Sequence, residues 1–504
     1  MSHISALFGE NLPWPPEEDR IRIKRQKTYR AAFDKAEPTL LFRGEQWKSK
    51  PVETWEGSFV KVVANAYSNL LFGEGIGLGV SSNAPEDASP ALDRIKRESN
   101  LGCSLFCAAT QQSVEGRAYL KVRRGPKNSM DPKTRVIIEP LEPSSVFRLE
   151  DPGNKMFPVG FAIVTEITTG KPGKRDSLSY LLVEAHFPGR IEYQAWLVSR
   201  EAKFVRVGSA ERKIIRQVTM AEVFEGGLVP AGIPQGTGNE MGGSVETGID
   251  QLLVAEVDNL PSSGWSHPDL LGSEGTTRMI DDRISRDTEI LNKHANPKMR
   301  VPTGLLDEKG QVMRQTFDGM LFEVDPSSGL LLPDYITWDA KMKDSFEYLD
   351  RMIDMALLNT GLAKQIIGFE GKTGFADSGT ALRLRMIPTL ATVNRKRLHF
   401  HPAIDQIMRS ALALADGIEG FGQTALRETD QIIIAWRDGL PEDPLESARI
   451  AQARSANGRT ASVESLVRES HPDWSEEEVA IEVEKIRDDE QKSSPTAALF
   501  GPRE

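Results

Sequence analysis

DSFEYLDRMIDMALLNTGLAKQII (344–367), GFEGKTGFAD (368–377) and SGTALRLRMIPTLATVNRKRLHFHPAIDQIMRSALALA (378–415) follow one another without a break. In the first part Phe346, Leu349, Ile353, Ala356 and Leu357 recur at three- and four-residue spacing, which predicts a helix with these residues on one side. Asp344, Glu347, Asp350 and Asp354 fall together on another side. Gly368, Gly371 and Gly374 then interrupt the pattern, because glycine lacks the backbone restriction that favours a helix. Ser378 stands where a helix cap belongs, so a second helix is expected to start there. From Gly379 through Ile404 that helix has no Asp or Glu, but it has Arg383, Arg385, Arg395, Lys396 and Arg397. Pro388 lies inside it, removing one backbone donor at a cost of about 3 kcal/mol in an unsupported helix, and predicts a kink.

The rest of the chain sets limits on class. Its 504 residues suggest about three domains, and 39% apolar content is enough for real cores. No apolar run approaches the roughly 18 residues of a membrane span. The start, MSHISALFGENLPWPPEED, lacks the basic-then-apolar order of a signal peptide, so a cytosol-like compartment and no membrane contact are expected. Cys103 and Cys107 are too few for a disulfide framework or a cysteine metal site and read as reduced thiols. A net charge of −11 argues against tight nucleic-acid binding through a broad basic surface. Residues 441–504 hold 15 acidic and 8 basic residues, as a solvated acidic surface would.

Outward from the central stretch, the pattern is α+β. Glu17–Glu37 reads as a charged surface helix after a Pro-rich turn, and Trp55–Phe72 as a helix ended by Gly73, Gly75, Gly77 and Gly79. Leu92–Ser113 reads as one more helix. Period-two segments follow at 118–124, 134–139, 160–167, 179–186, 191–198 and 204–207, with Phe187-Pro188-Gly189-Arg190 as a hairpin turn. Residues 226–248 are glycine-rich and read as a connection. A helix over Thr276–Ala295 puts Ile280, Ile284 and Leu291 on one face, with Asp281, Asp282, Arg283, Arg286 and Asp287 elsewhere. Short strand-like pieces occupy 296–339, including RQTFDGMLFEVD. Gln431–Trp436 reads as a short buried strand, followed by helices starting at Ser462 and Ser475 and a polar tail.

The run YLDRMIDMALLNTGLAKQIIG, a glycine-rich loop and SGTALRLRMIPTLATVNRKR resembles the stem helix, tunnel loop and long kinked helix of SPP1-type portal proteins of tailed bacteriophages. Ser378, Gly379, Ala381 and Leu382 match the family's start of that long helix. The resemblance implies a portal fold forming a ring: wing at 1–258, first stem helix at 259–296, clip at 297–340 and second stem helix at 341–367. Tunnel loop at 368–378, kinked helix and return to the wing at 379–440, helical crown at 441–490 and disordered tail at 491–504 complete it. It also implies a dodecameric homo-oligomer at one capsid vertex of the virion, built in the host cytoplasm. Double-stranded DNA would pass through the channel during packaging and ejection. The terminase large subunit, head-completion or adaptor proteins, and major capsid and scaffolding proteins would be its partners.

Gly371-Lys372-Thr373 imitates the end of a P-loop, but Ile366 holds the place of the first glycine and the segment follows a helix, so no nucleotide site is expected. His399 and His401 are two apart, on different parts of a helix surface, and read as packing or capping residues. No zincin, serine-hydrolase or zinc-cysteine pattern occurs, so catalytic residues, metal ligands and cofactors are all expected to be absent. Asp344, Glu347, Asp350 and Asp354 have the ordinary reading of a water-facing helix side. In a ring they would line a channel and repel DNA, which carries one charge per about 1.7 Å. Phe369, Glu370, Gly371, Lys372, Thr373, Gly374 and Phe375 would form the gate, with Lys372 either a transient phosphate contact or a solvated lysine. The cations from Arg383 to Arg397 are expected to pair with acids on a neighbouring subunit. The rival readings are a metal-dependent DNA-processing enzyme built from scattered carboxylates, and another virion structural or adaptor protein.

Overall fold

The computed structural model describes residues 3–34, 59–126, 133–151, 153, 157–169, 178–199, 212–223, 242–259, 266–295, 299–300, 334–335, 342–368, 379–418, 420–437, 452–454, 461–471, 474 and 476–493. It is an α+β protein. Helix α1 (Glu17–Asp34) buries Ile23, Gln26 and Tyr29, so despite its charge it is packed rather than superficial. Helix α2 (Phe59–Phe72) buries Val63, Ala66 and Leu70 on the face its spacing predicts. Gly73 and Gly75 follow it, but Gly77 and Gly79 belong to a strand, β2 (Ile76–Val80). A Cβ on Gly77 would stand 3.1 Å from the Ala435 Cβ across the ladder, so close strand approach, not loop flexibility, uses this glycine.

The single helix expected over 92–113 is two. Helix α3 (Ala88–Ser99) and helix α4 (Leu101–Glu115) meet at Asn100, whose left-handed φ of 50° lets its amide close α3 onto the carbonyls of Lys96 and Arg97.

Fourteen strands in all are described. After β1 (Pro13–Trp14) and β2 come β3 (Arg117–Gly125), β4 (Arg135–Leu141), β5 (Val146–Leu149), β6 (Gly160–Thr169), β7 (Leu178–Phe187), β8 (Arg190–Val198) and β9 (Arg212–Val218). A short helix α5 (Met220–Val223) precedes β10 (Gly242–Glu246) and β11 (Val254–Asp258). The larger sheet is antiparallel and ordered β1-β9-β8-β7-β6-β5. Strands β9 and β10 share one edge of β8, pairing with Ala195–Val198 and Arg190–Gln194 respectively. The β7–β8 hairpin pairs Phe187 with Arg190, making Pro188-Gly189 a two-residue turn with Gly189 at φ 82°. Strand β10 lies inside the glycine-rich stretch read as a connection; its Val245 packs beside Tyr193 and Val218. The smaller sheet is β11-β3-β4.

Beyond residue 258 the chain keeps feeding the same core. Helix α6 (Glu274–Ala295) leads to a two-stranded pair, β12 (Met299–Arg300) with β13 (Asp334–Tyr335), and then to helix α7 (Met342–Thr360). A 3-10 turn at Lys364–Ile367 precedes helix α8 (Gly379–Ala415), which runs through Pro388 and Pro402 as one 37-residue element. Strand β14 (Ile432–Trp436) pairs antiparallel with β2, and helices α9 (Val463–Ser470) and α10 (Glu476–Ser493) follow. One apolar cluster joins Tyr29, helices α2 to α4, the small sheet, Ile280 of α6, Met352 to Leu357 of α7 and Met386 to Ala415 of α8. The N-terminal half and the helices after it therefore fold on shared burial.

The second helix of the central stretch begins at Gly379 as expected, whereas the first stops at Thr360, not at 367. Gly361 is the reason: it sits at φ 78°, and a Cβ there would lie 2.8 Å from Thr392 Oγ1. The Ser462 hydroxyl accepts from the Ser465 amide at 3.1 Å, as a helix cap should, and α10 continues to Ser493, past residue 490 where the tail was expected. Strand β14 is only half buried, with Ile432 covered and Ile433 exposed. The segments 204–207 and RQTFDGMLFEVD, and the cap at Ser475, lie outside the described residues. Among the described residues no helix is long and apolar enough to cross a membrane.

Candidate functional site

The segment entering α6, the end of α7 and the middle of α8 meet at one buried junction. Periodicity creates it: on α8 Thr389, Thr392, Val393, Lys396 and Phe400 share the inward face, so the lysine at 396 points into the core. Its Nζ lies 2.7 Å from Asn259 Oδ1 and 2.9 and 3.0 Å from the two Asp269 oxygens. Asn259 Nδ2 donates to Asp269 Oδ1 at 2.8 Å, and the Ser113 hydroxyl donates to Asp269 Oδ2 at 2.5 Å. The Tyr67 ring stands under the ammonium at 4.8 Å. Burial pulls the lysine pKa down, Asp269 opposes that, and the ammonium is hydrogen-bonded to both Asp269 and Asn259.

The same junction fixes the turn after α7. The Tyr67 hydroxyl donates to the Thr360 carbonyl at 2.5 Å, and the Thr389 hydroxyl both donates to the Gly361 carbonyl at 3.1 Å and accepts from the Ala363 amide at 2.8 Å. Further along, Arg283 Nε of α6 donates to the Ser345 hydroxyl at 2.7 Å, and Ser345 donates to Asp287. Asp287 is thus a buried bridge between α6 and α7, not the solvent charge its sequence neighbours suggested. Helices α6 and α7 run side by side, with the start of one and the end of the other rooted at the junction.

Away from the core α7 presents two more faces. Asp344, Glu347, Asp350 and Asp354 are all exposed, as their spacing predicts. Lys364 from the 3-10 turn stands 3.0 Å from Asp354 and 3.7 Å from Asp350, neutralising part of this face. Beside it Tyr348, Met355 and Leu358 form an exposed apolar stripe at helical spacing, Leu358 at 79% exposure. Phe346, expected on the core side, is also exposed; Ser345, Met352, Ile353, Ala356 and Leu357 make the core side instead. Helix α8 has a matching outer stripe of Leu384, Ile387 and Leu398, with exposed Arg385 and Arg395 on the same helix. Among the described residues, nine of the eighteen exposed large apolar side chains lie on α6, α7 and α8, which is too concentrated for ordinary surface scatter.

The cationic half-helix divides in two. Lys396 is used inside the chain, and so is Arg397, whose guanidinium reaches the Arg437 carbonyl and lies 5.3 Å over Trp436. These two do not await a neighbour's acids, because their helical phase turns them inward. Helix α8 contains Gly379, Ala381 and Leu382 in its first turn and Pro388 in its body. Ser378 and the loop residues Phe369, Glu370, Gly371, Lys372, Thr373, Gly374 and Phe375 lie outside the described residues. His401 is exposed and His399 half-buried, so only His399 has a packing role.

Sequence reasoning missed the Lys396 junction. Its one signal was a lysine in phase with Val393 and Phe400, and the acid that answers it, Asp269, lies in an unpatterned loop.

No protein-family model matches the chain, and no curated protein sequence matches it. Among solved structures it is similar to chains of "Virion of native gene transfer agent (GTA) particle" (13% identity, TM-score 0.42, covering 92% of this chain and 96% of that one). A second is "Neck of native GTA particle computed with C12 symmetry" (12%, TM-score 0.39, 92% and 96%). A third is "Neck of empty GTA particle computed with C6 symmetry" (14%, TM-score 0.36, 93% and 97%).

Proposed function

We propose that this chain is a portal-type ring subunit of a phage-like virion, a non-enzymatic channel at one capsid vertex through which double-stranded DNA passes. The observation that carries the reading is the pair of exposed stripes on α7 and α8, which one chain leaves uncovered at the two helices flanking residues 369–378. The stripes differ in charge: acids border the α7 stripe, while arginines accompany the α8 stripe. Two unlike, complementary faces on one chain favour heterologous contact, in which each copy offers a different surface to each neighbour, and such contacts form a ring where the rotation between copies closes. The order of elements, with a helix pair, a small strand pair between and a long helix after, supports the portal assignment made from the motif at Ser378–Leu382.

In this reading the α+β body is the wing, α6 and α7 the stem, β12 and β13 part of the clip, and α9 and α10 the crown. The partly neutralised acidic face of α7 would line the channel and keep DNA from adhering. Residues 369–375 would gate it, with Lys372 the charge nearest the DNA. Dodecameric assembly, docking of the terminase large subunit at the clip, later replacement by head-completion or adaptor proteins, and contact with major capsid and scaffolding proteins belong to the same proposal. Deleting Gly371–Gly374 tests the gate: rings should still assemble, and DNA retained per particle should fall. Normal packaging and retention by the deletion variant would sink the assignment of the loop.

A further inference from the structure

Helix α3 ends in cations, and a hollow opens on either side of them. An apolar cavity of about 280 Å³ lies between the end of α2, the start of β2 and the corner where α3 meets α4. Phe72, Ile76, Leu101 and Leu105 line it, and Lys96 and Arg97 stand at its rim. A second, basic hollow of about 500 Å³ is lined by Arg94, Arg97, Glu98 and Arg135, so Arg97 borders both.

These cations are held in place more than they are neutralised. Glu98 takes Arg94 at 3.2 Å and Arg135 at 3.1 Å. Arg94 is fixed further by the Gly420 carbonyl at 3.1 Å and by the Phe421 ring, 4.0 Å away. Lys96 reaches Asp93 only at 3.7 Å. Arg97 is exposed, and among the described residues its side chain makes one bond, from Nε to the Asp93 carbonyl at 3.4 Å, which leaves both terminal nitrogens open. Arg94, Lys96, Arg97 and Arg135 thus face only Asp93 and Glu98, and the rim of the apolar cavity is net positive.

The converse surface lies on α10. Ile481 is 54% exposed, Glu478 and Glu484 stand one turn to either side of it on the same helix face, and Asp488 follows a turn beyond, all three exposed. Lys485, the one cation within a turn of Ile481, is held by Glu482 at 3.3 Å. Helices α9 and α10 share a cluster of their own, Val467, Val479 and Val483, which contains no residue of the main core. Three buried valines make a small core, so this helix pair gains from further burial. An aliphatic knob bordered by acids suits an apolar hollow bordered by cations in both shape and charge. We propose that α10 of a second copy seats its Ile481 in the cavity between α2 and α4, with Glu478 and Glu484 over Lys96 and Arg97. Knob and cavity sit on different elements, so the contact is heterologous. It rests on the association of copies proposed above, but uses neither the α7 nor the α8 stripe.

Sedimentation velocity of the full chain and of two charge-reversed variants tests this. Lys96→Glu with Arg97→Glu reverses the rim, and Glu478→Lys with Glu484→Lys reverses the helix. Each variant alone should need a concentration about tenfold higher or more for half-assembly, because like charges then face each other. Mixed in equal amounts, the two should regain the parent's assembly, since every reversed rim can meet a reversed helix and every native rim a native one. That rescue also shows that both variants fold. Ile481→Asp should weaken assembly without changing the unfolding midpoint, its side chain being exposed already. Undiminished assembly of the reversed variants, or a mixture no better than its components, overturns the proposal. If Leu384→Ser with Leu398→Ser abolishes assembly while both charge reversals leave it intact, this contact falls and the ring stands. A parent chain that is monomeric at every concentration overturns both.

Discussion

Glu115 and Lys396 are both buried ionisable residues, and they are stabilised in opposite ways. Glu115 has a stretched partner, and burial raises its pKa from 4.5 to about 8. The folded state therefore holds this proton more tightly than the unfolded chain, so stability should fall as pH rises from about 4.5 to about 8 and level off above. Glu115→Gln removes the titration; its urea midpoint should be flatter over that window and exceed the parent's at pH 8.5. A parent and variant with parallel pH profiles would show that the carboxyl is not buried as described. Lys396 has full hydrogen bonding to Asp269 and Asn259. Lys396→Met leaves Asp269 buried and unpaired, and should cost about 3–5 kcal/mol by equilibrium denaturation. Adding Asp269→Leu should recover much of that loss, because the uncompensated charge goes with it. If the double variant is no better than the single, the pair is not the source of the cost.

At the scale of elements, periodicity makes most of the helices and the central strands legible in the sequence, including the hairpin at Pro188-Gly189 and the start of α8. What failed had local causes. Asn100 splits a helix that apolar spacing alone reads as continuous, because a single left-handed residue leaves the hydrophobic phase nearly intact. Gly77 and Gly79 look like a loop, but their strand partner is some 350 residues away in sequence, where no local pattern reaches it. Asp287 and Lys396 look like surface charges because Ser345 and Asp269, which hold them in the interior, lie in other elements. The faces of α7 were half legible: the acids were placed, while Tyr348, Met355 and Leu358 could be told from core residues only once the core side was known. The stripe on α8 carries the assembly argument. Leu384→Ser with Leu398→Ser should leave the far-UV spectrum and unfolding midpoint of the isolated chain nearly unchanged, since both side chains are already exposed, yet abolish or weaken oligomers in sedimentation. A folded double variant that assembles like the parent would place the contact elsewhere.

Over the whole molecule, one apolar cluster runs from α1 to β14, so α6, α7 and α8 are rooted in the same body that the N-terminal half builds. The described residues thus combine a firmly packed body with helices whose outer faces are apolar and unlike in charge. In the proposed ring, closure would cover both stripes on every copy. The most direct measurement is the mass of the purified 55.8 kDa chain by light scattering, with end-on particle images of the same fraction. Closed rings with a central hole, at about 670 kDa for twelve copies, are predicted. A stable monomer that cleaves DNA with magnesium, and loses that activity on single Asp or Glu substitutions, would contradict the account and establish an enzyme instead.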